Sequence, residues 1–393
     1  MAVYRIFPTQ DATLYSLFPS MNTGLDEIIE ATTTTFAYSP PNPQVSRFVM
    51  QFSQTEIDSI FNRFNLTGST WDSYLNCYIA TVTGLGTASI VEAWPLAKSW
   101  NMGTGKYLDS PITSDGCSWQ FNTYSGSNQW VIPSSSGVNS IGYFTSSYSG
   151  SNAGGGLWYT SSTVASITSF NSTQSLAYGN DVDLNFKVTN IVEQWYSSSQ
   201  LPNGFNNQLP NYGFIVKQAS NQEFVNNPNQ QVELKYFSVD TNTIYPPNLE
   251  FRWVDYVFNT GSSTQTIITS SQIYVSLDNN NGTFYSESIQ RFRINCRPQF
   301  PARSFQTNSI YTTNYYLPPN VSYYAVKDLD TNEFVVPFNS TYTKISADVS
   351  SSYFDIYMNG LQPERYYQIL LQTTVANNTI VLNNDYYFKV ATG

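Results

Sequence analysis

Histidine is absent from the 393 residues of this chain. That removes Ser/His and Cys/His nucleophilic pairs and the imidazole ligands on which most zinc and iron sites depend. Cysteine is scarce: Cys77, Cys117 and Cys296 are odd in number and far apart, so reduced thiols are expected rather than a disulfide framework. Charged residues make up only 11%, with 17 basic against 27 acidic residues and a formal net charge of −10. Such a balance repels phosphate backbones and argues against nucleic acid as a partner. No apolar run approaches the ~20 residues that a membrane-spanning helix needs, so no membrane association is expected. The opening Met1-Ala-Val-Tyr-Arg-Ile-Phe-Pro8 lacks the apolar core of a signal peptide, which predicts synthesis in the cytoplasm. A phosphate loop is missing too. Gly103-Thr-Gly-Lys106 lacks both the leading glycine and the Ser or Thr after lysine.

What is abundant is aromatic: 30 Tyr, 25 Phe and 8 Trp, among many Ser, Thr and Asn. Aromatic and β-branched residues favour strands, and Asn, Ser and Gly favour the turns between them, so the composition predicts an all-β protein. Residues 181–218 carry the pattern most clearly. Val182, Leu184, Phe186 and Val188 alternate with Asp183, Asn185 and Lys187, as in a half-buried strand. Ile191, Val192 and Trp195 then fall at helical spacing over a turn or two, and Gly213-Phe-Ile-Val-Lys217 reads as the returning strand, with Trp195 plugging one end of a sandwich. A second helix is predicted over residues 54–64, with Ile57, Ile60, Phe61 and Phe64 on one face. Further strands are expected over residues 3–7, 11–15, 47–52, 71–83 and 89–100.

Residues 122–163 drop to a Ser/Gly/Tyr mixture with too little apolar content to bury, so an excursion from the sandwich is expected there. Trp130, Tyr143, Tyr148, Trp158 and Tyr159 within it are candidate contact residues for a partner. All eight tryptophans occur by Trp253, which places a linker at residues 256–264. Beyond it, short strands over residues 266–277, 288–296, 322–327, 333–338, 353–357, 366–371 and 386–390 predict an immunoglobulin-like sandwich over 265–393.

Four motifs extend this reading by resemblance. They are Asp11-Ala-Thr-Leu-Tyr15 with Gly24; Ser46-Arg-Phe-Val-Met-Gln-Phe-Ser53; Ser89-Ile-Val-Glu-Ala-Trp94 followed by Trp100; and the unit of residues 183–217 described above. In order and spacing they resemble the DNRLRE-type, disaggregatase-related jelly roll, a family that includes carbohydrate-binding modules and phage virion proteins. The resemblance covers residues 1–255, with Leu249-Glu-Phe-Arg-Trp253 similar to a final strand. The N-terminal phrase from Tyr4 to Tyr15, with Gly24-Leu-Asp-Glu-Ile-Ile29, is similar to virion structural proteins of tailed phages, closest to T4-like marine myoviruses. Leu361-Gln-Pro-Glu-Arg-Tyr-Tyr367 resembles the Leu-x-Pro-x-x-x-Tyr turn of immunoglobulin-like and fibronectin-like modules.

The resemblance implies an assembly role with no catalytic residues and no cofactor. The expectation is therefore a non-enzymatic virion structural protein, at a tail, neck or baseplate site rather than as capsid decoration. Its partners would be other phage structural proteins, and it would be present in multiple copies or as a homo-oligomer. The alternative is a glycan-binding adhesin or carbohydrate-binding module facing the host surface, with Trp94, Trp100, Trp119 or Trp130 as stacking platforms. A hydrolase using two of Glu92, Asp109, Asp115 and Glu193 ranks last. Asp11, Asp26 and Glu27 are the carboxylates nearest to a structural Ca²⁺ site, and Cys77 reads as a core residue.

Overall fold

The computed structural model describes residues 2–36, 42–85, 89–124, 128–130, 136–138, 142–147, 153–162, 169–201, 209–225, 231–261, 266–300 and 315–393. The fold is all-β, with two 11-residue α-helices among the described residues, Gln54–Phe64 and Thr189–Ser199. The chain forms two compact units: Ile6–Asn65 with Asp72–Glu250, and Met1–Arg5 with Leu66–Trp71 and Phe251–Gly393. Two short N-terminal segments thus group with the C-terminal unit, and that unit takes up the chain at Phe251 rather than after a linker at 256–264.

In the larger unit the strand Asn42–Gln51 is the spine. Residues 46–51 pair antiparallel with Gln10–Tyr15, residues 48–50 pair on the other side with Phe214–Gln218, and residues 42–45 pair with Ile28–Phe36. The sheet continues through Val232–Phe237 to Ile79–Thr83 at one end, and through Ser89–Pro95 to Ser172–Leu176 at the other. The spine is buried without a break from Val45 to Met50, as expected of a strand covered on both faces. Val45 and Val49 join a core with Ala12, Leu14, Ile215, Trp119 and Trp158, while Phe48 faces Tyr236 at a ring distance of 5.8 Å.

Both helices form where the apolar spacing predicts. Gln54–Phe64 starts at Ser53, whose hydroxyl accepts the Glu56 N–H at 3.3 Å, and ends on Asn65 in the left-handed region. Thr189–Ser199 is longer than a turn or two. Trp195 is buried against Phe214 at 4.7 Å, and Tyr196 stacks on Phe61 of the other helix at 4.0 Å. The predicted strand 71–83 is two strands. Trp71–Cys77 pairs with Leu184–Lys187, whereas Ile79–Thr83 pairs with Val232–Phe237, so the chain changes neighbours at Tyr78.

The described residues of the stretch 122–163 correct the expectation of an excursion from the core. Ser136–Val138, Gly142–Ser147 and Gly154–Ser162 form a three-stranded antiparallel sheet, and Trp130, Trp158 and Tyr159 are buried. They are core side chains and offer no ring to a partner. Tyr143 lies on the strand Gly142–Ser147, and Tyr148 lies outside the described residues. The physical reason is glycine. Gly154, Gly155 and Gly156 all have positive φ, and a Cβ on Gly155 would stand 2.6 Å from the Trp119 ring and 2.8 Å from the Arg47 guanidinium. Low side-chain volume here permits close backbone approach rather than marking a loop.

The smaller unit is a sandwich of two sheets. One is built on Ile289–Pro298 paired with Ile273–Asp278 and Ser352–Tyr357; the other runs Thr283–Tyr285, Asn378–Ala391, Tyr366–Val375, Ser322–Asp328 and Phe334–Val336. Rings from the two sheets interleave: Phe354 lies 4.3 Å from Tyr324, and Phe292 lies 5.9 Å from Phe388. The predicted strand 266–277 is interrupted. Ile268 drops into the core, and the Ser270 hydroxyl accepts the Gln272 N–H at 3.2 Å, turning the chain before Ile273–Asp278.

Candidate functional site

On the larger unit, sheet pairing and one loop build an open, polar groove. Glu30, Thr32 and Thr34 alternate along Ile28–Phe36, and Glu233 and Lys235 alternate along Val232–Phe237. The register sets Lys235 opposite Glu30 and Glu233 opposite Thr32, so these side chains share one face while Ile29, Ala31, Leu234 and Tyr236 fill the other. Gln44 extends the face opposite Thr34. Tyr15, the last residue of its strand, closes one end.

The roof comes from a loop that Asn22 holds down. Its Nδ2 donates to the carbonyls of Met102 at 2.6 Å and Cys117 at 2.8 Å, and its Oδ1 accepts the Gly105 N–H at 2.8 Å. This anchoring presents Lys106 and Tyr107 over the groove. The Tyr107 ring lies 4.9 Å from Tyr15 and 6.1 Å, edge-on, from Phe18, and 45% of its surface stays exposed. Two adjoining hollows result, one of about 140 Å³ lined by Thr32, Gln44, Glu233 and Lys235, and one of about 380 Å³ lined by Asp26, Glu27 and Lys106. Tyr15, Glu30 and Tyr107 line both.

The groove's electrostatics are one-sided. Lys235 pairs with Glu30 at 3.1 Å, and Lys106 reaches Glu27 only at 3.9 Å between largely exposed groups. Asp26 is held above the usual carboxylate range by burial, with Glu30 and Asp109 adding repulsion, although it accepts the Tyr107 N–H at 3.3 Å. Burial, reinforced by Glu30 and Asp26, likewise pushes the Tyr15 phenol well up, and Tyr107 moves in the same direction.

Other candidates from the sequence have structural duties. Trp100, Trp119 and Trp130 are buried and Trp94 is half-buried; the indole N–H groups of Trp94, Trp100 and Trp130 donate to Glu92, the Tyr212 carbonyl and the Ser118 carbonyl. Glu92 also pairs with buried Lys217 at 3.2 Å. Asp115 accepts the Thr104 N–H and hydroxyl, and Asp109 accepts the Lys106 N–H, each tying a turn of the roof loop. Glu193 is exposed on its helix. Of the calcium trio, Asp26 and Glu27 reach the groove, but buried Asp11 faces Ser238 and Val239, and no three acidic or cysteine side chains among the described residues converge as metal ligands. Cys77, Cys117 and Cys296 are buried, unpaired thiols.

Sequence reasoning passed over Glu30, Tyr107, Glu233 and Lys235. The alternations Glu30-x-Thr32-x-Thr34 and Glu233-x-Lys235 were the available signal, but only the register between distant strands makes them one surface. In comparisons with known proteins, no protein-family model matches this chain and no curated protein matches it.

Proposed function

We propose that this chain is a non-enzymatic structural protein of a bacteriophage particle, held at a tail, neck or baseplate site by protein–protein interfaces. The observation that carries this reading is its surface. Large aromatic rings stand exposed among few charges: Tyr124 and Tyr178 on the larger unit, and Tyr274, Tyr285, Phe300 and Tyr366 on the smaller. Interface cores are enriched in aromatic residues and depleted of Lys, Glu and Asp. The smaller unit is read as immunoglobulin-like. Supporting that finer assignment, the Tyr367 hydroxyl donates to the Gln362 carbonyl at 2.9 Å, a bond from an early strand residue back to the preceding corner. The larger unit is read as a jelly roll on its motif order.

Each stable contact would bury on the order of 1,200–2,000 Å² in total, and symmetric copies would turn modest contacts into avidity. Mass spectrometry of purified particles, split into head and tail fractions, tests the reading. Recovery with tails in a fixed ratio to the tube protein is expected. Recovery with heads would move the chain to capsid decoration, and absence from both fractions would refute a virion role.

A further inference from the structure

Resting on that assembly reading, we propose that the groove between Tyr107 and the Glu30–Glu233 face seats an arginine side chain of a neighbouring protein in the particle. Charge is the first argument. Four carboxylates line the two hollows, Asp26, Glu27, Glu30 and Glu233, against the two ammonium groups of Lys106 and Lys235. Lys235 is committed to Glu30, and among the described residues Asp26 and Glu233 have no ion-pair partner. An incoming cation therefore meets carboxylates already assembled, while an anion is repelled.

Shape is the second argument, and it selects the cation. Tyr107 offers a half-exposed ring at the mouth, backed by Tyr15 and Phe18, so a planar guanidinium can lie on its face. The forked N–H groups of arginine can pair with both oxygens of a single carboxylate such as Glu233, which the compact ammonium of lysine does less well. A bare metal ion is a poorer fit, because the carboxylates are spread along two strands and a turn rather than converging.

The full chain should be titrated calorimetrically with end-blocked Gly-Arg-Gly, Gly-Lys-Gly and Gly-Glu-Gly. Saturable binding of the arginine peptide in the millimolar range is expected, weaker for lysine, absent for glutamate, and falling as salt is raised. Glu233→Gln and Tyr107→Ala should each weaken it on the order of tenfold, with the thermal midpoint of Glu233→Gln unchanged. No saturation with the arginine peptide, equal binding of the glutamate peptide, or wild-type affinity in both variants would overturn the proposal. So would wild-type incorporation of Glu233→Gln into particles that contain the chain, which leaves the assembly reading standing. Arginine binding by a chain absent from particles supports the groove chemistry and counts against the assembly reading alone.

Discussion

Arg47 lies in the middle of the spine strand with its side chain 1% exposed, and its position is tolerable only because every direction is answered. Its Nε and Nη2 each reach Glu223 at 2.8 Å, its Nη1 donates to the Gly155 carbonyl at 2.7 Å, and its guanidinium lies between the rings of Trp119 and Trp158 at 4.9 and 5.2 Å. Lys217 pairs with Glu92 and Glu223, so two cations and two carboxylates neutralise one another away from water. Removing one partner strands a buried charge. Glu223→Gln should lower unfolding free energy by about 3–5 kcal/mol in urea titrations, whereas an effect under about 1 kcal/mol would show that water already screens the cluster. Asp11 makes a different prediction, about pH. Burial raises its carboxyl to about 7, against hydrogen bonds from the Val239 N–H and the Ser238 hydroxyl that pull it down. The folded protein thus keeps this proton to higher pH than the unfolded chain, where the value is about 3.9. Its contribution is complete below the unfolded value and is lost as pH rises through about 7. Stability should therefore decline across that window. Asp11→Asn, whose amide can still bond both partners, should flatten the decline; parallel slopes for the two proteins would exclude Asp11 as its source.

At the scale of elements, the strand Gly154–Ser162 shows how composition misleads. Its glycines resemble loop residues, yet they let the backbone pass over Trp119 and Arg47 and carry Leu157, Trp158 and Tyr159 into the core. Gly155 at φ +68 should tolerate alanine poorly, with the left-handed backbone alone costing about 1–3 kcal/mol and the Trp119 contact adding to it. A Gly155→Ala protein as stable as wild type would mean that the Arg47–Trp119 packing yields easily. Elsewhere local pattern was a sound guide. Ile57, Ile60 and Phe61 mark the buried face of the first helix, and the alternation Leu184-x-Phe186 marks a strand with its two apolar residues inward. Where the predicted strand 71–83 proved to be two, the alternation Leu75-x-Cys77-x-Ile79 continued through Tyr78 while the hydrogen-bonding neighbour changed. Nothing in a single segment records that change.

For the molecule as a whole, the chain alone determined an all-β fold, the two described helices and a buried Cys77, because these follow from side-chain preferences acting within a few residues of one another. It also carried the low charge and aromatic surplus that make an interface role the leading reading. Only the tertiary structure decided that Met1–Arg5 and Leu66–Trp71 group with Phe251–Gly393, with Val3 inside that unit's core and Arg5 donating to the carbonyls of Gly360 and Val335. Only it turned Trp130, Trp158 and Tyr159 inward, and only it set Glu30 opposite Lys235 across a gap of 205 residues of sequence, under a tyrosine from a third segment. The reason is the same in each case. Side-chain alternation says which residues share a face of one strand, but which strands become neighbours, and in what register, is a long-range choice made by the packing of the whole chain.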